Sequence, residues 1–339
     1  MALDADAPSP ASALAAFGLG GAPVRMTEVG GAWSNRVWQL DTSEGSFAVK
    51  EMRNPWKDPH WAGWLAEAWS FEQRAQSAGV SMPAPVPNPA DGGCLAWVQR
   101  CGSTSRAPVR LHRWAAGRPL GTGPVDEAVA TWAGKTLATL HGLRVRPQDR
   151  DLFPVPDTAT AGKWPELTGA AQRAGAPWAQ LMTDAAASVT VIAELARSAG
   201  HQPGEEVMTH GDIDQKNIVT TSDGPVLCDW DVAAPLVPRW ELADVALSLA
   251  CWEALPIARE VVRAYRRSGG DDTAVQPSDL GLPMMTGLDW AAFNVERALG
   301  LRPATPAEAA MAGGLLPGLL AEIPVQAEMA CRIAAVLQL

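Results

Sequence analysis

Apolar and polar residues alternate over the first third of the chain in short segments that predict β-strands. Between Val24 and Met52 lie three such segments, VRMTEV, RVWQLDT and GSFAVKEM, separated by VGGAWSN and by a turn at Ser43-Glu44-Gly45. From Trp61 to Gly79 the apolar and small residues recur every three or four positions, as in a helix that ends at a glycine. Two further strands are predicted by CLAWVQR and APVRLHRW. The pattern therefore predicts a small antiparallel sheet with one helix.

After Trp114 the pattern changes to helical periods. Helices are predicted within VDEAVATWAGKTLATLHGL, WAQLMTDAAASVTVIAELARSAG, ELADVALSLACWEAL, IAREVVRAYRRSGG and AEIPVQAEMACRIAAVLQL, and a short strand within PVLCDW. We expect a flexible arm over residues 1–22, a β-rich lobe over 23–114 and a mostly helical lobe over 115–339. The predicted fold class is α+β with two lobes that share a cleft, in agreement with a length of 339 residues.

Charge and cysteine usage exclude several classes of protein. The formal net charge is -10, whereas a protein that coats nucleic acid carries a basic excess or stripe. The N-terminus lacks the basic segment of a signal peptide, and no run of about eighteen apolar residues predicts a membrane span. The five cysteines are scattered without a CxxC pair, as in proteins of a reducing compartment. We therefore expect a cytoplasmic protein that binds neither nucleic acid nor membrane.

The segment HGDIDQKN, from His210 to Asn217, concentrates polar side chains between apolar neighbours. It has the pattern H-x-D-x-x-x-x-N of a kinase catalytic loop, in which Asp212 fills the acidic position. The following IVTT and PVLCD predict a hairpin that turns at Ser222-Asp223-Gly224 and brings Asn217 close to Asp229. Carboxylate and amide oxygens are the ligands that Mg²⁺ prefers, so this hairpin predicts a metal site beside phosphate groups.

Lys50 ends the strand segment FAVK, which is the position of the phosphate-binding lysine in kinases. An acid of the next helix is expected to pair with this lysine. Glu67 and Glu72 are the candidates; they cannot both face inward, and Glu67 is preferred.

The loop VGGAWSN lies between two strands upstream of Lys50, where a loop that covers phosphates belongs. It is not a G-x-G-x-x-G motif, so its prediction as a phosphate-covering loop depends on its place before Lys50 in the chain. The residues predicted to lie near the phosphates are Gly31, Ser34 and Asn35. The backbone of Arg113, Trp114 and Ala115, at the junction of the two lobes, is predicted to meet the purine.

The motifs GGAWSN, FAVK, LATLH, HGDIDQKN and CDWD occur in this order between residues 24 and 250. In them the chain resembles the aminoglycoside phosphotransferase and choline-kinase-like family, which has a protein-kinase-like fold. The resemblance implies phosphorylation of a small-molecule hydroxyl with ATP or GTP and Mg²⁺. It also implies that Asp212 is the catalytic base, that Asn217 and Asp229 hold Mg²⁺, and that Lys50 with Glu67 orients the phosphates.

Two positions depart from the family pattern. The metal motif reads Cys228-Asp229-Trp230-Asp231, in which Asp231 either contacts a second metal ion or holds the loop. Asp214 occupies the position of a phosphate-contacting lysine in protein kinases, and Lys216 follows it. His210 is expected to brace the loop rather than to react.

The expected substrate is an antibiotic or related natural product, so the protein is expected to confer resistance. The alternatives are a metabolic kinase for a sugar, a choline-like or a homoserine-like alcohol, and a nucleotide-binding pseudokinase. A pseudokinase lacks the base, a metal ligand or the lysine, whereas this chain has all three. The segments that match no family motif are rich in Trp and Ala rather than in acids, which favours a bulky and weakly cationic substrate. The pattern does not indicate an oligomeric state.

Overall fold

The computed structural model of the chain describes residues 4–30, 35–54, 57–153, 155–200 and 205–336. They form two compact units, each discontinuous in sequence. The first comprises Met1–Thr122, Leu143–Phe153 and Met208–Pro235, and the second comprises Gly123–Gly142, Pro154–Val207 and Leu236–Leu339. Both the HGDIDQKN segment and Asp229 belong to the first unit, whereas the sequence places them in a lobe that starts at residue 115. The boundary differs because this part of the chain forms β-structure with a strand of the first unit.

The first unit is built on a six-stranded antiparallel sheet in the order β1-β2-β3-β6-β4, with β5 paired to β6. Its strands are β1 Pro23–Val29, β2 Arg36–Thr42, β3 Gly45–Glu51, β4 Pro85–Val86, β5 Ala96–Gln99 and β6 Arg106–Arg113, and its helices are α1 Pro10–Ala16 and α2 Trp61–Ser77. Helix α2 ends before Gly79, whose φ of +83° is one that glycine adopts without strain. The predicted strands and helix of this region are confirmed.

The N-terminal segment corrects one expectation. Residues 1–22 are predicted to be a flexible arm, but the described residues 4–22 contain helix α1, which begins after the capping side chain of Ser9. Ala13, Leu14 and Phe17 lie at helical spacing and are buried in one core cluster with Trp38 and other side chains of the sheet. The apolar face of this short helix covers the sheet, and this burial stabilises its position.

A separate three-stranded sheet follows the HGDIDQKN segment directly. Its central strand is β9 Ile218–Thr221, which lies between β7 Gly117–Pro119 and β10 Gly224–Leu227. Because Thr221 pairs with Gly224, the chain reverses at Ser222 and Asp223, and the predicted hairpin is confirmed. Strand β7 approaches β9 closely: a Cβ atom on Gly117 would lie 2.3 Å from the carbonyl oxygen of Thr220. Glycine is therefore required there. A two-stranded ladder pairs β8, Val207–Thr209, with β11, Ala234–Leu236.

The second unit is helical. Its helices are α3 Glu127–Gly142, α4 Thr160–Arg173, α5 Ala179–Gly200, α6 Pro238–Leu249, α7 Leu255–Arg267, α8 Gly281–Ala298 and α9 Pro306–Val336. The helix predicted over Glu241 to Leu255 ends at Leu249 instead, because Cys251 and Trp252 have φ values of 49° and 59°. A residue in that left-handed region cannot continue a right-handed helix.

Helix α9 is long and apolar enough between Pro306 and Ile333 to pass a length and composition test for a membrane span, contrary to the expectation from the sequence. Its buried residues recur every three or four positions and are Ala312, Leu316, Leu320, Ile323, Ala327, Ala330 and Ile333. This face packs on α5 and α8 within the second unit. The spacing is that of a helix with one side in a protein core.

Candidate active site

Asp212 lies in a tight loop between strand β8 and the short 3-10 turn Gln215–Asn217. Gly211 precedes it with a φ of +78°, which lets the chain reverse without steric strain. Oδ1 of Asp212 lies 2.8 Å from Nζ of Lys216, and Oδ2 accepts a hydrogen bond of 2.9 Å from Nδ2 of Asn217. The Asp212 side chain remains 33% exposed. The carboxylate is thus oriented by two donors and still open to a reactant.

His210 fastens this loop to the end of strand β10. The backbone N–H of Asp212 donates to Nδ1 of His210 over 3.3 Å, so Nδ1 is the acceptor of the ring. The ring proton therefore lies on Nε2, which donates to the carbonyl oxygen of Cys228 at 2.9 Å. The ring is buried and packs edge-on against Trp230 at 4.8 Å. These contacts hold the loop in place, which is the role that the sequence predicts for His210.

Asp229 follows strand β10 in the left-handed α conformation, with φ 66° and ψ 57°. Among residues other than glycine, Asp and Asn adopt this conformation most readily. The N–H of Cys228 donates to the carbonyl oxygen of Asn217 at 2.8 Å, so the hairpin register sets Asn217 beside the residue before Asp229. The sequence prediction that the hairpin brings Asn217 near Asp229 agrees with this register.

Asn217 and Asp229 have the donor atoms that a hard divalent cation requires. Nδ2 of Asn217 donates both to the backbone oxygen and to Oδ2 of Asp212, so its Oδ1 points away from these partners. The described residues contain no group of three or more His, Cys, Asp or Glu side chains placed for a metal. One carboxylate and one amide oxygen, completed by water and phosphate oxygens, are a set that suits Mg²⁺. The residues therefore fit the predicted ion, and their role as its ligands remains a prediction.

The ammonium group of Lys50 lies between two carboxylates. Nζ is 2.5 Å from Oδ1 of Asp229 and also forms an ion pair with Oδ2 of Asp231. Burial lowers the pKa of Lys50, but the two negative charges outweigh burial and raise this pKa above its usual value. Lys50 therefore carries its charge throughout the physiological pH range, beside the predicted metal ligand.

Arg110 extends this pair into a buried chain of charges. It lies directly opposite Lys50 in the pairing of strands β3 and β6, so the two cations share one face of the sheet. Nη1 of Arg110 is 2.5 Å from Oδ1 of Asp231, and Nη2 pairs with Oε2 of Glu72. The guanidinium is 1% exposed and lies 5.7 Å from the ring centre of Trp69. Lys50 and Arg110 would repel each other on this face, but the carboxylate of Asp231 lies between them and that of Glu72 lies beyond Arg110.

The pairing predicted for Lys50 and Glu67 is wrong in this structure. Glu67 instead accepts a hydrogen bond of 2.9 Å from the backbone N–H of Gln148. The inward-facing acid of helix α2 is Glu72, which pairs with Arg110 and lies 2.8 Å from Nε2 of His112. Five residues correspond to about 140° around a helix, so only one of the two acids can face the sheet.

The glycine-containing loop is only partly described. Gly31 and Ser34 lie outside the described residues. The side chain of Asn35 donates from Nδ2 to Oδ2 of Asp231 at 3.2 Å and accepts at Oδ1 from the N–H of Arg53 at 2.9 Å. Asn35 therefore joins the loop to the chain of charges, and its contact with phosphate remains a prediction.

The segment predicted to meet the purine ends strand β6. The N–H groups of Arg113 and Trp114 donate to the carbonyl oxygens of Ala84 and Ser46, at 2.8 and 2.9 Å. Among the described residues, the N–H of Ala115 has no such partner. If the purine binds here through a backbone donor, Ala115 is the residue of the three that supplies it.

A shallow depression, open to solvent, adjoins the charged groups. Its walls combine aromatic and aliphatic side chains with polar groups of the site and are formed by Asn35, Met52, Arg53, Trp61, Trp64, Leu65, Asp229, Asp231 and Val232. The metal ligand predicted at Asp229 is therefore next to a surface that contains two tryptophans. The two rings give this depression an aromatic, largely apolar wall.

The buried carboxylates determine how stability should respond to acid. Burial raises the pKa of both Asp231 and Glu72, but their cationic partners outweigh it, so both pKa values are lowered on folding. The unfolded chain then binds more protons than the folded one near and below the ordinary carboxylate pKa of about 4. Their contribution is complete above that value and is lost as pH falls towards the folded pKa values.

We therefore expect the free energy of unfolding to decrease on acidification below about pH 5, as urea titrations at a series of pH values will measure. In Asp231→Asn the decrease should be shallower, because one of the two linked carboxylates has been removed. A slope equal to that of the original protein would contradict this assignment.

The comparisons with known proteins agree with the fold and the motifs. The model of the phosphotransferase enzyme family matches residues 25–277. A spectinomycin phosphotransferase crystallised with ADP and spectinomycin is 12% identical, with a TM-score of 0.65 over 90% of this chain and 93% of that one. An amicoumacin kinase in complex with AMP-PNP, Ca²⁺ and Ami is 13% identical, with a TM-score of 0.60 over 89% of each chain.

A choline/ethanolamine kinase family protein from Mesorhizobium loti is 18% identical, with a TM-score of 0.52 over 95% of this chain and 97% of that one. No curated protein matches the chain in sequence. Because the family model covers most of the chain, the protein belongs to the phosphotransferase enzyme family. The predicted family, the protein-kinase-like α+β fold and the enzyme class are confirmed.

Arg110 is a site residue that sequence reasoning missed, and the place of Asp231 was left open between a metal and the loop. A signal for Arg110 exists in the strand segment APVRLHRW. Val109 and Leu111 alternate with Arg110 and His112, so two basic side chains lie on one face of the strand. A basic residue in the middle of a strand that is buried on both faces requires an acidic partner, which points back to helix α2.

Proposed function

We propose that this protein transfers the γ-phosphoryl group of ATP or GTP to a hydroxyl group of an antibiotic or related natural product. The observation that carries the proposal is the convergence, within one compact unit, of an oriented carboxylate at Asp212, two oxygen donors at Asn217 and Asp229, and the ammonium of Lys50. Phosphoryl transfer consists mainly of positioning and charge neutralisation, and these groups supply both.

Each side chain has a separate part in the transfer. Asp212 accepts the proton of the acceptor hydroxyl while Lys216 and Asn217 hold its carboxylate in place. Asn217 and Asp229 would hold Mg²⁺, which when bound neutralises charge on the nucleotide phosphates. Lys50 places a permanent positive charge beside them.

The choice of a natural product rests on two observations. Antibiotic kinases are among the solved structures that the chain resembles, and the resemblance covers nine tenths of the chain. Trp61 and Trp64 line the depression beside Asp229, and their rings offer an apolar surface for part of an organic substrate. A metabolic alcohol kinase is the second candidate, because a choline/ethanolamine kinase family protein has the same fold.

The proposal is tested by incubating the protein with Mg²⁺, ATP or GTP and a panel of alcohols, followed by mass spectrometry. The panel contains spectinomycin, amicoumacin and other hydroxylated antibiotics, together with choline, ethanolamine and aminopropanol. A phosphorylated antibiotic supports the proposal, and phosphorylation of the small alcohols alone replaces it with the metabolic assignment. Nucleotide binding without any product, and without slow hydrolysis dependent on Asp212, would indicate a binding module.

A binding measurement with and without Mg²⁺ tests whether Asp229 is a metal ligand. We expect Asp229→Ala to weaken binding of nucleotide in the presence of Mg²⁺, while binding measured with EDTA changes little. Equal weakening with and without the metal would count against Asp229 as a metal ligand. The matched control is Asp223→Ala, because Asp223 lies at the exposed turn of the same hairpin.

A further inference from the structure

We propose that Asp231, and not an acid of helix α2, positions Lys50 for the nucleotide phosphates, and that Arg110 together with Glu72 anchors Asp231 in that place. The inference rests on the proposed function for the part that concerns phosphates. It assigns positioning roles to Asp231, Arg110 and Glu72, none of which needs to contact the substrate.

No acid of helix α2 contacts Lys50 among the described residues. The helix contains only Glu67 and Glu72. The first accepts from the backbone of Gln148, and both carboxylate oxygens of the second are engaged, Oε2 by Arg110 and Oε1 by His112. The connection from α2 to Lys50 therefore runs through Arg110 and Asp231.

Asp231 is better suited than Asp229 to hold the lysine. The Asp231 side chain is 6% exposed, whereas that of Asp229, the predicted metal ligand, is 37% exposed. A cation held by Asp229 would neutralise the negative charge of the Asp229 carboxylate, which in this structure faces Lys50. Asp231 would then be the carboxylate that holds the ammonium group in place.

The anchoring of Asp231 comes from three directions. Its Oδ1 pairs with Arg110, and its Oδ2 contacts Lys50 and accepts from Nδ2 of Asn35. Arg110 contributes because its planar guanidinium reaches two acids at once, Asp231 through Nη1 and Glu72 through Nη2. A lysine is a single point charge and cannot span both acids in this way.

This arrangement links the lysine to the metal site over a very short stretch of chain. Asp229 and Asp231 are two residues apart, so one loop would hold both the metal and the lysine. Helix α2 reaches that loop through Glu72 and Arg110, and also through Phe71, whose ring lies 6.2 Å from that of Trp230. A displacement of the loop would therefore disturb both phosphate contacts together.

The decisive variant removes the anchor but leaves the net charge of the buried cluster unchanged, and Asp231 keeps its ion pair with Lys50. Arg110→Met combined with Glu72→Met deletes one cation and one anion, and apolar replacement of a buried ion pair usually preserves folding. The matched control is Arg100→Met with Glu51→Met, a largely buried pair at 2.7 Å in the same unit. Glu51 is adjacent to Lys50 in strand β3 and therefore lies on its opposite face.

We expect kcat/KM for the nucleotide to fall about tenfold or more in the first double variant, because Asp231 loses the partner that holds its Oδ1, and a small misplacement of a positioned group has an effect of this order on the rate. The control should retain kcat/KM within a small factor. Equal values for the two double variants would overturn the anchoring role. The single variant Arg110→Lys should also have a reduced kcat/KM for the nucleotide. A value equal to that of the original protein would count against the anchoring role of Arg110.

A second readout does not depend on turnover or on folding of the double variants. Acylation of Lys50 by a small amine-reactive ester is followed by mass spectrometry, with the exposed Lys135 as internal reference. In Asp231→Asn the relative rate at Lys50 should rise, because the amine loses one of the two carboxylates that hold it in place and becomes more accessible to the reagent. An unchanged rate would overturn the proposal. An inactive original protein whose Lys50 shows the expected change would refute the proposed function and leave the positioning of Lys50 supported.

Discussion

Replacement of Asp212 by Asn is expected to lower the rate of phosphoryl transfer by about 10²–10⁴-fold, the usual contribution of a general base. Asn has the shape of Asp and still offers one oxygen to Lys216 or Asn217, which now hold the carboxylate at 2.8 and 2.9 Å. Its amide cannot accept the proton of the acceptor hydroxyl. Nucleotide affinity should stay close to that of the original protein, because the predicted metal ligands and Lys50 are unchanged. Rates with saturating acceptor and direct binding of nucleotide measure the two effects separately.

Asp214→Asn is the matched control for this prediction. Asp214 lies two residues away in the same loop and also contacts Lys216, at 3.1 Å. Its removal changes the charge of the loop by the same amount but leaves the carboxylate of Asp212 in place. Similar rates for the two variants, whether both high or both low, would be incompatible with Asp212 as the specific base.

Replacement of Arg110 alone by Met is expected to reduce the free energy of unfolding by about 3–5 kcal/mol. The single change leaves Glu72 and Asp231 buried, at 0% and 5% exposure, after removal of the cation that both contact. Asp231 keeps Lys50 and Glu72 keeps His112 as a partner, but the loss of the shared cation is costly because the low polarity of the interior replaces the hydration of both carboxylates. Denaturant titrations of both proteins under one set of conditions measure the difference.

Arg25→Met provides the comparison for the loss of an arginine at the surface. Arg25 lies in the same sheet, at 3.5 Å from Asp41, but its side chain is 69% exposed. Exposed pairs of this kind contribute about 0–1 kcal/mol, since water and salt screen them. A loss in Arg110→Met no larger than that in Arg25→Met would show that the buried chain of charges does not stabilise the fold.

The sequence is informative where a single local pattern determines the structure. Strands β1 to β3 and helix α2 follow from alternation and helical period, and the hairpin of β9 and β10 follows from its turn residues. The position of Asn217 relative to Asp229 is a consequence of that hairpin register. These features depend on neighbours in the chain, which a sequence displays directly.

The partner of Lys50 depends instead on packing between distant segments. Glu67 and Glu72 both lie on helix α2, and the helical period does not say which of its faces meets the sheet. That choice is made by the register that sets Arg110 opposite Lys50, on strands separated by more than fifty residues in sequence. Once Arg110 is buried there, Glu72 is the acid of the helix that pairs with it, so Glu67 turns elsewhere.

The N-terminal segment shows the opposite limitation. Its composition, rich in Ala, Pro and Asp, is that of a disordered arm, yet a helix of seven residues places Leu14 and Phe17 in the core. So short a helix is not stable by itself in water, and its order comes from burial on the sheet. Composition does not reveal that the sheet has an apolar face left to cover.

The left-handed backbone at Asp229 restricts the substitutions that this position can accept during evolution. Most substitutions there would meet steric strain as well as loss of the carboxylate, so selection for folding alone would remove many of them. Asn and Gly are the exceptions, because both tolerate this conformation, and any Asp codon becomes an Asn or a Gly codon by one base change. A lineage released from selection for catalysis would therefore be expected to accumulate Asn or Gly at this position before other residues. Sampled descendants of such a lineage would carry intact folds with a weakened metal site.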